Sequence, residues 1–237
     1  MATLPNLSRR NLQPELMDQP GLDEQQHRRA LRALARINWF SRSAAILWPE
    51  LKRHARLAAE EPLRVLDLAC GSGDVTLALA RRAQRAGLPI RFSGCDVSPV
   101  AVQAAQARAE RAQVSVDFFV CDVLGTPLAK GYDVMMCSLF LHHLTESQAV
   151  GLLRTMAQAR RALLVNDLLR TRLGYMLAYA GTRLLTRSPI VHFDGPQSVA
   201  GAFTLEEVAE LAQRAGLERI RLVRRWPQRF LLSWSPP

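Results

Sequence analysis

The sequence predicts an α/β fold built on a seven-stranded, mostly parallel sheet, and three observations predict it. From Pro62 onward short apolar runs alternate with longer amphipathic ones, the pattern of strand–helix–strand units with parallel strands. A glycine-containing turn joins the first apolar run to the first amphipathic one. The 237 residues are 49% hydrophobic and 22% charged, enough apolar material for a packed core, which excludes a disordered or collagen-like chain.

Ahead of the alternating region two helices are expected. Asp23 can cap the first, with Gln26 three positions on to answer it, and Leu31, Leu34, Ala35 and Ile37 recur at helical spacing. The second spans 43–58 through Ala45, Ile46, Leu47 and Trp48, with Pro49 as a break or restart because proline removes a helical donor. Strands follow at 64–69, 90–94, 115–120, 132–137 and 162–166, and helices start after Asp74, Ser98, Thr145 and Thr204. Ser98-Pro99 sets a capping hydroxyl before a proline at the first helical position, and Thr204 with Glu207 has capping-box spacing. Residues 218–225 and 228–235 close the sheet as a pair of strands. The expected organisation is a helical cap over 1–61 and a ligand-binding domain over 62–237, the latter carrying a helical lid insertion at 167–203, which is too long for an ordinary connection.

The formal charge is +10, from 31 basic and 21 acidic residues, and only Lys52 and Lys130 among the basic ones are lysines. The arginines are dispersed along the chain, so charge alone does not predict a nucleic-acid partner. No apolar stretch is long enough to span a bilayer, and Glu15 and Asp18 stand where a signal peptide would be apolar, so a cytoplasmic location is expected. Cys70, Cys95, Cys121 and Cys137 fit neither a short metal-ligand pair nor a compact disulfide framework, and free thiols and no metal are expected. Each falls at the carboxyl end of one of the first four strands, the edge at which open α/β sheets bind ligands.

That edge carries the chemistry. The strand Val65-Leu66-Asp67-Leu68 runs into Ala69-Cys70-Gly71-Ser72-Gly73-Asp74 and then a helix, so Gly71 and Gly73 let the backbone approach a ligand closely. A dinucleotide fingerprint would place a third glycine where Thr76 stands, which argues against an NAD(P)-dependent oxidoreductase. Three carboxylates line the edge instead: Asp67 late in the first strand, Asp96 ending the second, Asp122 following the third. Carboxylates are poor neighbours for phosphate and good acceptors for a ribose diol, an adenine amine or an ammonium group.

These residues resemble the class I methyltransferases that use S-adenosylmethionine, clearly over 64–162 and more loosely beyond. The resemblance implies a Rossmann-like domain over 62–237 in which Asp67 and the turn Gly71-Ser72-Gly73 hold the methionine end of the cofactor. Asp96, with Val97, would bind the ribose and Asp122, with Val123, the adenine, while Ser138 completes the cofactor site at the end of the fourth strand. Ala69 departs from the family, which often has glycine there.

Beyond Ser138 the segment Leu141-His142-His143-Leu144 looks like the Leu-His-Asp-Trp stretch of small-molecule O-methyltransferases, which selects His142 as general base. Adjacent residues of an extended chain point to opposite sides, so His143 is expected to pack or cap the next helix. An imidazole near pKa 6.5 taking a proton from a phenol near 10 faces an uphill step of about 5 kcal/mol before the sulfonium charge acts. In the insertion, 168–185 reads as an apolar helix and Val191-His192-Phe193-Asp194-Gly195-Pro196 as a turn, with His192 a second candidate base. The insertion, the N-terminal helices and Trp39 would roof an apolar pocket. No Asn- or Asp-Pro-Pro-aromatic segment, typical of methyltransferases acting on nucleobase amines, is present. The expected reaction is therefore methylation of an oxygen on a small apolar, phenolic or polyketide-like molecule, with C-methylation of a quinone-like ring, an oxidoreductase and an RNA-binding module as alternatives.

Overall fold

A computed structural model describes residues 5–18, 23–40, 42–58 and 61–237, and the side chains of Leu34 and Trp39 lie outside what it describes. Seven strands form one sheet in the order β3-β2-β1-β4-β5-β7-β6. They are β1 (Leu63–Leu68), β2 (Ile90–Asp96), β3 (Val116–Val120), β4 (Val134–Ser138), β5 (Ala162–Leu168), β6 (Arg221–Arg225) and β7 (Arg229–Trp234). The first five are parallel and β7 runs antiparallel to both β5 and β6. The fold is Rossmann-like, with the strand order reversing between β1 and β4. A crevice opens at such a reversal, outside the carboxyl ends of the strands.

Period-two alternation divides the core between the two faces of the sheet. Leu66 and Leu68 of β1, with Met135, Cys137, Leu163 and Val165, pack against Leu152, Leu153, Val208 and Leu211. These last four lie on α5 (Glu146–Met156) and α8 (Leu205–Arg214). Leu63 and Val65, with Val134, Met136 and Leu164, face Leu47, Leu51, Leu79 and Ala105 on the other side. Those belong to α2 (Ser43–Leu57), α3 (Asp74–Arg85) and α4 (Pro99–Ala112). Strands buried on both faces are why the central sheet reads as continuous apolar runs.

The capping signals mark the helix starts as expected. Asp23 accepts from the Gln26 backbone at 2.9 Å ahead of α1 (Glu24–Phe40), Ser98 accepts from Ala101 N, and Thr204 with Glu207 forms a capping box, as does Thr145 with Gln148. Two expectations fail on the same residue type. The helix α2 runs through Pro49 without a break, since one lost donor is a smaller cost than unpacking Leu47 and Leu51. The expected turn at 191–196 is part of a helix, α7 (Pro189–Gly201), with Pro196 inside it. Ser188 caps α7 and Pro189 fills its first turn, the same Ser-Pro start that α4 uses. The preceding helix is α6 (Arg172–Leu185).

The N-terminal segment is tied to the sheet's ligand edge. Arg10 donates from Nε to the Gly201 carbonyl at 2.6 Å and from Nη2 to the His142 carbonyl at 2.8 Å, with its guanidinium 3.7 Å from the Phe203 ring centre. Asp194 of α7, buried, accepts the backbone N–H groups of Leu16 and Met17 at 2.8 and 3.2 Å. These bonds lay the segment across the crevice.

Candidate active site

A cavity of about 1010 Å³ lies at the carboxyl edge of β1, β2 and β4. Of the residues singled out from sequence, Asp67, Gly71, Ser72, Asp96, Val97, Asp122, Val123, Ser138 and His142 line it, whereas Gly73 and His192 do not. α6 and α7 contribute Gly174, Leu177, Ala178, Leu185 and Val191 to its wall.

The glycine turn is built from left-handed residues: Ala69, Gly71 and Gly73 have φ of 52°, 54° and 70°. An L side chain in that region costs about 1 kcal/mol or more, which gives the family's preference for glycine at position 69 a physical reason. The two glycines do different work. A Cβ on Gly71 would meet no protein atom within 4 Å, so its missing side chain leaves open cavity. A Cβ on Gly73 would stand 2.7 Å from Phe118 Cζ, so Gly73 is needed to seat α3 against β3 and α4.

Asp67 is fully buried, and its Oδ2 accepts from Thr76 Oγ1 at 2.5 Å while Oδ1 has no hydrogen-bond partner. Thr76, where a dinucleotide site would have glycine, thus holds the carboxylate. Burial, opposed by the Thr76 bond and reinforced by the charges of Asp74 and Asp96, pushes the Asp67 pKa up to about 7. A buried acceptor lacking a donor costs about 1–3 kcal/mol, which a ligand ammonium would recover. Asp96 is oriented by two backbone donors, Gly71 N at 2.8 Å and Ser98 N at 2.9 Å, and Asp122 accepts from Leu124 N at 2.9 Å. Ser72 is held by Arg108 at 2.7 Å, and Ser138 accepts from Asn166 Nδ2 at 2.7 Å. Burial keeps the thiols of Cys70 and Cys137 far above their ordinary pKa and pushes Cys95 up to about 12, so these free cysteines stay protonated.

Beyond Ser138 the chain is not extended. Leu141–His143 form a 3-10 turn, so both histidines line the cavity, with ring centres 4.3 Å apart. His143 therefore departs from the packing role expected of it. His142 Nδ1 lies 2.7 Å from Asp167 Oδ1, and its Nε2 faces Glu15 Oε1 at 3.6 Å, as does His143 Nε2 at 3.8 Å. Ser198 donates to the same Glu15 oxygen. Burial works against a charged imidazole, but the Asp167 and Glu15 carboxylates outweigh it and raise the His142 pKa to about 10. They are themselves held below the ordinary carboxylate range, against burial, chiefly by His142.

The ligand-capable atoms of Glu15, His142 and His143 lie within 4.8 Å of one another, and two imidazoles with a carboxylate suit a divalent metal. His192 is elsewhere: its Nε2 donates to the Thr186 carbonyl at 2.8 Å, closing the α6–α7 junction.

Sequence reasoning missed Asp167 and Glu15 as site residues. Asp167 lies near the carboxyl end of β5, the position pattern that selected the other aspartates, and was there to be found. Glu15 lies in a segment without periodicity and carries no sequence signal.

Residues 65–162 match the family described as methyltransferase domain. A stretch of 79 residues is 40% identical to ribosomal protein L11 methyltransferase of Dechloromonas aromatica (strain RCB), covering 33% of this chain and 24% of that protein. The chain thus spans about a quarter of the length of that curated relative. Among solved structures, an S-adenosylmethionine-dependent methyltransferase from Aquifex aeolicus superposes with a TM-score of 0.61 at 16% identity, over 90% of this chain and 98% of that one. An O-methyltransferase family 2 protein from Planctomyces limnophilus DSM 3776, solved in complex with apigenin, gives 0.55 at 20% identity, over 82% and 61%.

Proposed function

Because the chain carries a class I, S-adenosylmethionine-dependent methyltransferase domain, we propose that it methylates an oxygen of a small, apolar, phenol-like acceptor held against His142. The observation that carries this reading is the commitment of His142 Nδ1 to Asp167, which leaves Nε2 as the nitrogen that faces the cavity and exchanges its proton.

In this reading the cavity has two halves. Asp67 Oδ1 takes the ammonium of the cofactor, the open space at Gly71 admits its amino-acid end, Asp96 takes the ribose hydroxyls, and Asp122 with Val123 borders the adenine. S-adenosylmethionine, when bound, supplies a methyl group activated by its sulfonium. The other half is bounded by Glu15, His142, His143 and Ser198 and by the apolar side chains of Leu139, Phe140, Leu177 and Leu185. An acceptor hydroxyl there reaches His142 Nε2 beside Glu15. With His142 raised to about 10, its neutral form takes the acceptor's proton without the uphill transfer calculated for an ordinary imidazole, and the cost moves to His142, which must first release its own proton to solvent. The chain contributes alignment of the oxygen and a place for its proton, the two terms that dominate an in-line displacement without bond strain. The α6–α7 pair serves as the roof of the acceptor half, and the helices before Pro62 as its side wall.

The planctomycete protein's complex with apigenin supports a phenolic class of acceptor. The test is a panel of phenols and quinone-like rings incubated with the protein and methyl-labelled S-adenosylmethionine. O-methylated phenols that vanish with His142→Ala support the proposal. Methyl groups found only on ring carbon, or unaffected by that change, overturn the oxygen assignment.

A further inference from the structure

The helix α6 is apolar on two adjoining sides. Gly174, Ala178, Gly181 and Leu185, at helical spacing, line the cavity. Leu173, Met176, Leu177 and Leu184, with Ala180 between, form a second stripe that faces outward, and Leu184 is 85% exposed. Leu177 belongs to both sets, being 45% exposed and a cavity residue, as is Trp226 at 70%. The cavity is therefore open to solvent beside the stripe, as it also is at Val97 and Leu124. Gln228, two residues from Trp226, accepts from Thr171 at the start of α6 at 3.0 Å, which fixes the hairpin to the helix.

The segment that carries the stripe is cationic. From Leu168 to Phe193 the chain has no acidic residue and four arginines. Arg172, Arg183 and Arg187 are exposed, and the Arg183 guanidinium lies 3.5 Å from the Tyr179 ring centre, along the edge of the stripe. A contiguous apolar stripe left in water is unfavourable and marks an interaction surface. A second copy of this chain fits it badly. A symmetric pairing would set the arginines of one copy against those of the other with no carboxylate from α6 between them.

We propose that the outer face of α6 docks in the surface of a bilayer that carries anionic lipids, with Leu173, Met176 and Leu184 in the acyl boundary and Arg172, Arg183 and Arg187 at the headgroups. Amphipathic helices with this distribution lie in the plane of the interface, held by apolar burial and by attraction to anionic headgroups together. No helix among the described residues is long and apolar enough to cross the membrane, so the contact is peripheral. Docking would place the opening at Leu177 and Trp226 against the lipid, where a lipophilic acceptor could pass without crossing water. This last step rests on the acceptor class proposed above, while the docking itself does not.

The experiment is sedimentation of the full chain with vesicles of phosphatidylcholine alone or mixed with phosphatidylglycerol, beside the double variant M176E/L184E. Neither residue lines the cavity, and unchanged binding of S-adenosylhomocysteine by the variant shows that it is folded. The proposal expects co-sedimentation with the anionic vesicles, weakened by salt, and about tenfold or more weaker binding by the variant, since two buried apolar side chains are lost. Equal binding by both proteins, or none by the parent, overturns it. A dimer of the parent, dissociated by M176E/L184E and indifferent to vesicles, would assign the face to a second copy and overturn it equally.

Discussion

The carboxylate of Asp167 grips His142 twice, accepting the ring Nδ1 at 2.7 Å and the backbone N–H of the same residue at 3.1 Å. Imidazole orientation and tautomer are set from one strand end, and what remains adjustable is the occupant of Nε2. Glu15 stands on that side, its Oε1 3.6 Å from the nitrogen.

The first prediction concerns protons. Through neutrality the acceptor and His142 together hold two protons, and methyl transfer needs the form that holds one. The logarithm of kcat should therefore climb by about one per pH unit and level off near pH 10. His142→Ala should lower kcat by about 10²–10⁴-fold with S-adenosylhomocysteine affinity unchanged in calorimetry. A flat profile across neutral pH would instead assign the proton to Glu15.

Glu15→Gln removes one of the two anions that stabilise the charged ring, so the plateau of that profile should move to lower pH. The same variant should change how stability depends on pH. A histidine whose pKa rises from 6.5 to about 10 on folding contributes stability that is full below 6.5 and lost as pH climbs through 10. Thermal melts of parent and variant between those limits should converge toward the alkaline end.

Asp67 titrates in the opposite sense to a paired carboxylate. Its pKa is raised from 3.8 to about 7, so the folded protein holds the extra proton and loses stability as pH rises through that window. A ligand ammonium favours the ionised form, so S-adenosylhomocysteine binding near pH 7 should release a proton, read as a binding enthalpy that changes with the buffer. Asp67→Asn should abolish the release and weaken binding by about 1.5–3 kcal/mol, roughly ten- to a hundredfold.

The two glycines of the turn should separate binding from folding. In Gly71→Ala the new methyl group enters the space where a ligand would lie, and loss of S-adenosylhomocysteine affinity should exceed loss of stability. In Gly73→Ala it strikes Phe118 and Ala105, which should cost about 1–3 kcal/mol and lower Tm by several degrees. Equal effects of the two changes on melting would refute the division of labour.

Much of the fold was legible because burial on both faces forces apolar runs in β1, β4 and β5, and because hydroxyl caps announce α4 and α8. The cofactor half of the cavity was legible for a related reason: its groups sit at strand ends, where sequence order maps directly onto position. Proline was misread at Pro49 and Pro196 because tertiary packing outweighs one missing donor. The histidine pair was misread because a 3-10 turn, which leaves no periodic trace, replaces an extended backbone. Glu15 was invisible, for its position is set by Asp194, Gly201 and His142, all more than a hundred residues away in sequence.

The arrangement at Glu15 separates two kinds of inheritance. The sheet fixes His142 and Asp167, while a peptide outside the sheet, fastened by Arg10 and by the Asp194 carboxylate, decides how tightly the ring keeps its proton. Grafting a different segment at 5–18 would retune acidity at the reacting edge and leave the strands untouched. Reactivity and foldability are thereby carried on different stretches of chain, each free to vary without undoing the other.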